Sequence, residues 1–339
     1  MVIGFAIAPL LAIGGCAGSP NTPTPPPPVP PDPLKITCPT AVSLNAQNGQ
    51  PLAVRYGSAT TTGGTPPAQV SCSPVSDSVF PIGSTIVTCT ATDAKSVTDI
   101  CTFAITLIAP PRLSMTKFVA FGDSMTAGEI VSEGIVAGFR PLAVDTLKSY
   151  PSDLYSMLVS RYTAQASDIV VSNQGRSGEK TADGASRLSG ALGVGSFQAV
   201  LLMDGVNDFP AYAQALVSMR QMVQTARGRG LRVFLATLPP ENPFPSCLPN
   251  RGGNWAFVVP YNDGLRSIAA SEGAVLVEVY TAFNGDTTTL VDCDGLHPTA
   301  AGYLRIAETF FTSLKQAFEL PVIPPPNLTP SPLLAPRRR

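Results

Sequence analysis

Apolar and polar positions follow a repeating order between residues 113 and 320. Short apolar runs predict buried strands, and the amphipathic segments between them predict helices. The strands are predicted at Lys117–Phe121, Ile169–Ser172, Ala199–Met203, Arg232–Leu238 and Ala274–Val279, and the helices near 151–164, 182–192, 209–228, 260–272 and 299–318. Strands that alternate with helices favour a parallel sheet with helices on both faces, so we expect a three-layer α/β fold.

Residues 35–109 follow a different pattern, in which apolar and polar residues alternate with a period of two. Residues 84–92 and 101–107 show it most clearly, and short strands at this spacing predict a small β-sandwich. A core of this size gains stability from disulfide bonds. The segment contains four cysteines, which allow three pairings. We favour Cys38–Cys101 with Cys72–Cys89 and leave the other two pairings open.

The same segment resembles the hyaline-repeat (HYR) family of immunoglobulin-like modules. The resemblance rests on Cys38-Pro39, on residues 80–85 and 89–93, and on Cys101-Thr102-Phe103. It implies adhesion or spacing and no catalysis. A glycan or a protein is the partner that we expect if this module binds one.

Both ends of the chain have compositions that differ from the rest. Residues 1–15 are apolar and small and precede Cys16, an arrangement similar to a bacterial lipobox, although no Lys or Arg comes before the apolar run. We expect a signal peptide over 1–16 with lipidation at Cys16, and the alternative is a buried apolar segment. The nine prolines of 17–34 predict a stiff linker, and the seven prolines of 321–339 predict a disordered tail.

Charge and cysteine content exclude several classes of protein. With 22 basic and 23 acidic side chains, the net charge is −1, so we expect no nucleic-acid partner. His297 is the only histidine, which leaves few ligands for a metal. Besides Cys16 there are six cysteines, an even number that indicates disulfide bonds in an exported chain. We therefore expect a secreted protein or a cell-envelope lipoprotein that is held at a membrane through Cys16.

Residues with catalytic chemistry follow four of the predicted strands. Ser124 comes after the first strand, Gly175 after the second, Asn207 after the third, and Asp294 with His297 after the fifth. Active groups of parallel sheets lie at the carboxyl ends of the strands, so these residues are candidates to meet. Taken singly, each also has a structural explanation as a helix cap, a polar turn or a structural histidine.

In order and spacing, these blocks are similar to those of the SGNH (GDSL-type) hydrolase family over residues 117–318. The resemblance implies a flavodoxin-like α/β fold and an ester substrate, with no metal or organic cofactor. It implies that Ser124 is the nucleophile, His297 the general base and Asp294 the residue that orients the base. It also implies an oxyanion site made of the Ser124 and Gly175 N–H groups and the Asn207 amide.

The expected function is therefore that of an exported serine esterase or lipase that acts through an acyl-enzyme. Two alternatives stay open, a carbohydrate acetylesterase and a surface adhesion protein whose hydrolase domain is inactive. We also predict a Cys247–Cys293 disulfide beside Asp294. The aromatic residues near this loop line an acyl pocket or form a separate apolar cluster, and they are Phe244, Trp255 and Phe257.

Overall fold

The computed structural model describes residues 32–136, 138–247, 250–251 and 253–321. The expected signal peptide over 1–16, the lipidation at Cys16, almost all of the proline-rich linker and the tail after residue 321 lie outside the described residues. In the part of the chain that is described, no helix has both the length and the apolar character that crossing a membrane requires.

The described residues before Arg112 form short strands. These are β1 Lys35–Thr37, β2 Val42–Asn45, β3 Leu52–Ala53, β4 Thr60–Thr62, β5 Gln69–Ser73, β6 Val79–Phe80, β7 Gly83–Thr92 and β8 Thr98–Ile108. Strands β2, β8, β7 and β5 form a four-stranded sheet in that order, and β1 with β4 and β3 with β6 form two-stranded pairs. Every second residue is buried from Val87 to Ala91 in β7 and from Phe103 to Leu107 in β8, as the period of two predicts.

Compact packing divides the described chain into two units. One unit combines the residues up to Pro39 with 58–73 and 88–102, and disulfide bonds inside it join Cys38 to Cys101 and Cys72 to Cys89. These are the pairings that we favoured from the sequence. The other unit combines 40–57, 74–87 and the residues from Phe103 onward. The domain boundary expected between 109 and 113 stays a prediction.

The second unit contains the α/β fold. Its further strands are β9 Arg112–Leu113, β10 Lys117–Gly122, β11 Glu129–Val131, β12 Leu142–Val144, β13 Val170–Gly175, β14 Ala199–Met203, β15 Arg232–Ala236, β16 Val275–Val277 and β17 Glu319–Leu320. Its helices are α1 Ser124–Ala127, α2 Tyr150–Arg161, α3 Thr181–Gly193, α4 Tyr212–Gly228, α5 Trp255–Glu272, α6 Val279–Ala282 and α7 Ala300–Phe318.

The central sheet has the order β13-β10-β14-β15-β16, and all its strands are parallel. Helix α2 packs on α7, while α3 packs on α4 and α4 on α5, which gives one helical layer on each face of the sheet. This confirms the predicted three-layer α/β fold. The register places Gly122 at the end of β10 between Gly175 and Met203, so the residues that follow these three strands meet at one edge of the sheet.

The largest difference from the predicted helices lies in α5. This helix begins at Trp255, although the sequence predicts a start near residue 260. Pro260, which is typical of the first turn of a helix, lies inside it. The antiparallel pair β11–β12 and the short helix α6 were not predicted.

Candidate active site

Ser124 is the first residue of α1 and lies directly beyond the end of β10. The carboxylate of Asp123 caps this helix, because its Oδ1 accepts a hydrogen bond of 3.0 Å from the N–H of Met125. Ser124 itself is only 3% exposed. The sharp change from strand to helix therefore presents its hydroxyl at the carboxyl edge of the sheet.

His297 lies between Ser124 and Asp294. Its Nε2 is 3.1 Å from Ser124 Oγ, and its Nδ1 is 2.6 Å from Asp294 Oδ2. Asp294 Oδ1 accepts hydrogen bonds of 3.0 Å from the backbone N–H groups of Leu296 and His297. Burial raises the pKa of Asp294, but these hydrogen bonds outweigh burial and hold that pKa below its ordinary value. The carboxylate is thus ionised and fixed against the imidazole.

The structure brings the three predicted oxyanion groups to the same edge of the sheet, but they differ in whether a hydrogen is left to donate to a ligand. Asn207 lies on a short 3-10 helix after β14, and its Nδ2 donates one hydrogen bond of 3.0 Å to the backbone oxygen of Glu179. An amide group has two hydrogens, so one remains for a ligand. The backbone N–H of Gly175, in contrast, donates a hydrogen bond of 3.0 Å to Asn173 Oδ1. This N–H is therefore already hydrogen-bonded, and its role at the oxyanion stays a prediction.

Gly175 has a packing role at this position. A Cβ atom on it would lie 2.1 Å from the backbone nitrogen of Ala127, so only glycine lets β13 approach α1 this closely. Three residues later, Gly178 has a φ of +72°, and a Cβ atom there would meet open space. The N–H of Gly178 has no hydrogen-bond partner among the residues that the structure describes.

Glu129 is a residue of the site that the sequence analysis missed. Its Oε2 lies 3.6 Å from His297 Nε2, the ring nitrogen that also faces Ser124. Two contacts place it there, since Gly128 ends α1 in a left-handed turn and Tyr303 donates a hydrogen bond of 2.5 Å to the backbone oxygen of Glu129. The sequence signal was an acidic residue directly after the glycine that ends the short nucleophile helix.

The loop after β15 is bound to the segment that carries Asp294 and His297. A disulfide joins Cys247 to Cys293, and the backbone oxygen of Cys293 accepts hydrogen bonds from the N–H groups of Ser246 and Cys247 at 2.8 Å and 3.1 Å. Arg251 donates its N–H to the backbone oxygen of Asp294 at 2.8 Å. The disulfide is the predicted one, and the loop supports the base of the candidate triad from outside.

The aromatic residues of this region do not share one pocket. Phe244 is 83% exposed and Trp255 is 54% exposed at the start of α5. Phe257 packs against Phe209 and Tyr212. The structure therefore places only Phe257 in an apolar cluster.

Two family models match separate regions of this chain. The model of the GDSL-like lipase/acylhydrolase family matches residues 120–305, and the model of the HYR domain matches residues 29–107. Esterase TesA of Pseudomonas aeruginosa is 26% identical over 215 residues, which are 62% of this chain and 94% of that protein.

Among solved structures, a lipase/acylhydrolase from Enterococcus faecalis is 22% identical with a TM-score of 0.47, and it covers 60% of this chain and 97% of its own. The acetylxylan esterase Axe2 from Geobacillus stearothermophilus is 20% identical with a TM-score of 0.46, and it covers 60% and 95% of the two chains.

Proposed function

Because the chain belongs to the GDSL-like lipase/acylhydrolase family, we propose that it hydrolyses carboxylic esters through an acyl-enzyme on Ser124. Family membership makes the protein an ester hydrolase, and the roles of single residues are our proposal. One observation carries these roles, the continuous chain of contacts from Ser124 Oγ through the His297 ring to the Asp294 carboxylate.

In the first half-reaction, Ser124 Oγ attacks the ester carbonyl while His297 Nε2 takes the hydroxyl proton. The imidazolium that forms lies against the Asp294 carboxylate and within 3.6 Å of Glu129. When the tetrahedral intermediate collapses, Nε2 gives this proton to the leaving alcohol. In the second half-reaction, water loses a proton to Nε2, attacks the acyl carbon and releases the acid, and Ser124 recovers its proton.

The negative oxygen of the intermediate needs donors that are in place before the reaction. We assign the N–H of Ser124 and the second amide hydrogen of Asn207 to this task. The third predicted donor is the N–H of Gly175, and its hydrogen bond to Asn173 Oδ1 has to break before it can donate to the oxyanion. Gly178 is our candidate for the third donor if that bond stays intact, because its N–H is unpaired within the described residues.

The change Ser124→Ala tests this proposal. We expect it to abolish hydrolysis of a nitrophenyl butyrate and labelling by a fluorophosphonate. The matched control is Ser186→Ala, since Ser186 is exposed on α3 and bonds only to its own helix, and it should behave as the wild type. Full activity of Ser124→Ala would remove Ser124 as the nucleophile. The same labelling experiment tests the alternative of an inactive adhesion protein.

A carbohydrate acetylesterase is the second candidate function. Glu129 favours it, because its carboxylate lies beside Nε2, on the side where the leaving alcohol takes up its proton. A carboxylate there suits a hydroxyl group that neighbours the ester on a sugar. A panel of acyl esters of increasing chain length, compared with acetylated xylan, separates the two functions.

The HYR domain and the disulfide bonds indicate an extracellular protein. Beyond this, we propose that Cys16 is lipidated and anchors the chain to a membrane, and that the HYR domain binds a glycan or a protein. Metabolic labelling with a fatty acid, which should fail in Cys16→Ser, distinguishes an anchored protein from a secreted one.

A further inference from the structure

Two carboxyl groups lie together in the interior beneath the candidate nucleophile. Asp123 follows β10 and Asp204 follows the neighbouring strand β14, whose register places their last residues side by side. Both aspartates are completely buried, and hydrogen bonding to Asp204 opposes the rise that burial causes in the pKa of Asp123. Two carboxylates have only acceptor atoms, so a bond between them requires a proton.

Most oxygens of this pair lack a donor. Asp123 Oδ1 accepts from Met125, but Asp123 Oδ2 and both oxygens of Asp204 have no hydrogen-bond partner among the described residues. A buried carboxylate without partners is strongly unfavourable in its ionised form. A single proton on Asp204 changes this, because one of its oxygens becomes a donor to Asp123 Oδ2 and two of the three unpaired atoms are then paired.

The charges that act most strongly on Asp204 are those of other carboxylates. The groups that face the pair from neighbouring elements are Glu179, Arg187, Asp208, His297, Tyr150, Tyr261 and Tyr303. Arg187 is already bound to both carboxylate oxygens of Glu179, at 2.7 Å and 2.5 Å. Burial, together with the charges of Asp123, Glu179 and Asp208, raises the pKa of Asp204 well above its ordinary value, against the smaller opposing effect of the Gly205 N–H. Burial also raises the pKa of Asp123, to about 6.

We propose that Asp204 is a protonated carboxylic acid in the working enzyme and that its O–H group holds Asp123 in position. Asp123 directly precedes Ser124, and Asp204 lies three residues before Asn207. The shared proton therefore fastens together the two turns that carry the nucleophile and the amide donor. Asp204 is a positioning residue, and its role in catalysis rests on the function proposed for Ser124.

Two substitutions of Asp204 in the full chain test whether a hydrogen-bond donor to Asp123 is what the site needs. Asp204→Asn keeps a donor to Asp123 Oδ2, and we expect its turnover to stay within about threefold of the wild type. Asp204→Leu leaves Asp123 Oδ2 unpaired, and we expect turnover to fall by about 50-fold with KM nearly unchanged. If Asp204→Leu does not fold, the stability measurement on Asp204→Asn decides alone.

That measurement uses the pH dependence of unfolding. A carboxyl whose pKa is raised in the folded state binds more protons there than in the unfolded state, so stability falls as pH rises from the ordinary pKa to the raised one. The Asp204→Asn variant has no carboxyl at this position, so this contribution to the pH dependence is absent from it. We expect the ratio of the wild-type to the Asp204→Asn unfolding constant to rise about tenfold per pH unit above pH 5.

Asp183→Asn is the control, because Asp183 is exposed on α3 and its ratio should not change with pH. An infrared difference spectrum at pH 7 should show the C=O band of a protonated carboxyl in the wild type that is missing in Asp204→Asn. A flat ratio or no such band would overturn the proposal. Neither result touches Ser124, whose role is tested separately by fluorophosphonate labelling.

Discussion

At the scale of single residues, the site depends on which polar atoms are already bonded before a substrate arrives. Asp294 accepts three hydrogen bonds, from the His297 ring and from two backbone N–H groups, and these fix the imidazole. Asn207 uses one amide hydrogen to bond to the backbone oxygen of Glu179, and the other is the hydrogen that we propose for the oxyanion. A donor held in this way is worth most in the transition state, when the charge has formed.

Asn207→Ala tests that role. We expect turnover to fall by on the order of 100-fold or more with little change in KM, because the lost donor acts on the developing oxyanion. Steady-state kinetics on a nitrophenyl ester give both constants. A raised KM with unchanged turnover would instead assign Asn207 to substrate binding.

The sequence was sufficient to predict the residues of the candidate triad but not the hydrogen bond that occupies the Gly175 N–H. Ser124, Asp294 and His297 follow predicted strands, and parallel strands end at the same edge. The pairing of the Gly175 N–H depends on sheet order, since β13 is an edge strand and no strand of the described residues lies on its outer side. The side chain of Asn173 takes that place. No sequence pattern told us which strand lies at the edge.

At the scale of elements, the buried strands were the most predictable part of the fold. All residues of β14 are buried, so its apolar run is continuous and its bounds match the prediction. The start of α5 was not predictable in the same way. Pro260 marks a helix start by its local preference, but the packing of Val258 and Tyr261 in the core continues the helix around it.

The loop that joins β15 to α5 is held by a disulfide, and removing that disulfide tests what the loop does for stability and activity. The disulfide from Cys247 to Cys293 closes 46 residues, and the chain-entropy model gives such a crosslink about 4 kcal/mol of stability. We expect Cys247→Ser with Cys293→Ser to lower the melting temperature and turnover together, because the loop also bonds to the backbone of Asp294. Thermal melts and kinetics with and without reductant measure this.

The wild type treated with reductant should reproduce the double variant if the lost crosslink is the cause. Reductant should then have no further effect on the double variant. A wild type whose melting temperature and turnover are both insensitive to reduction would show that the loop stays in place without the disulfide.

At the scale of the whole α/β fold, the first and the last strand of this region pair with each other. Strand β17 pairs with β9, and Glu319 accepts hydrogen bonds from Arg161 at 2.7 Å and 2.9 Å and from Tyr162 at 2.7 Å. The hydrogen bonds from Arg161 lower the pKa of Glu319 to about 2, against the opposing effect of burial. A carboxyl with a lowered pKa stabilises the fold above its ordinary pKa and loses this effect as pH falls.

Glu319→Gln should therefore destabilise the protein at pH 7 and have little effect at pH 2. Because Arg161 is 36% exposed, we expect only about 1 kcal/mol at neutral pH. The loss should fade between pH 5 and pH 2, and melts across this range measure it. Glu308→Gln, which removes an exposed pair with Arg305, is the control and should change stability less. An effect of Glu319→Gln that is equally large at pH 2 would assign the contact to packing instead.

The two residues of the contact between Ser124 and His297 lie far apart in the sequence, so the ribosome makes one long before the other. Ser124 follows the first strand of the central sheet, and His297 comes 173 residues later, after the last. A nascent chain thus carries a serine hydroxyl with no base beside it until nearly the entire α/β region has left the ribosome and folded. The unfinished chain consequently lacks the pair of groups to which we assign ester hydrolysis.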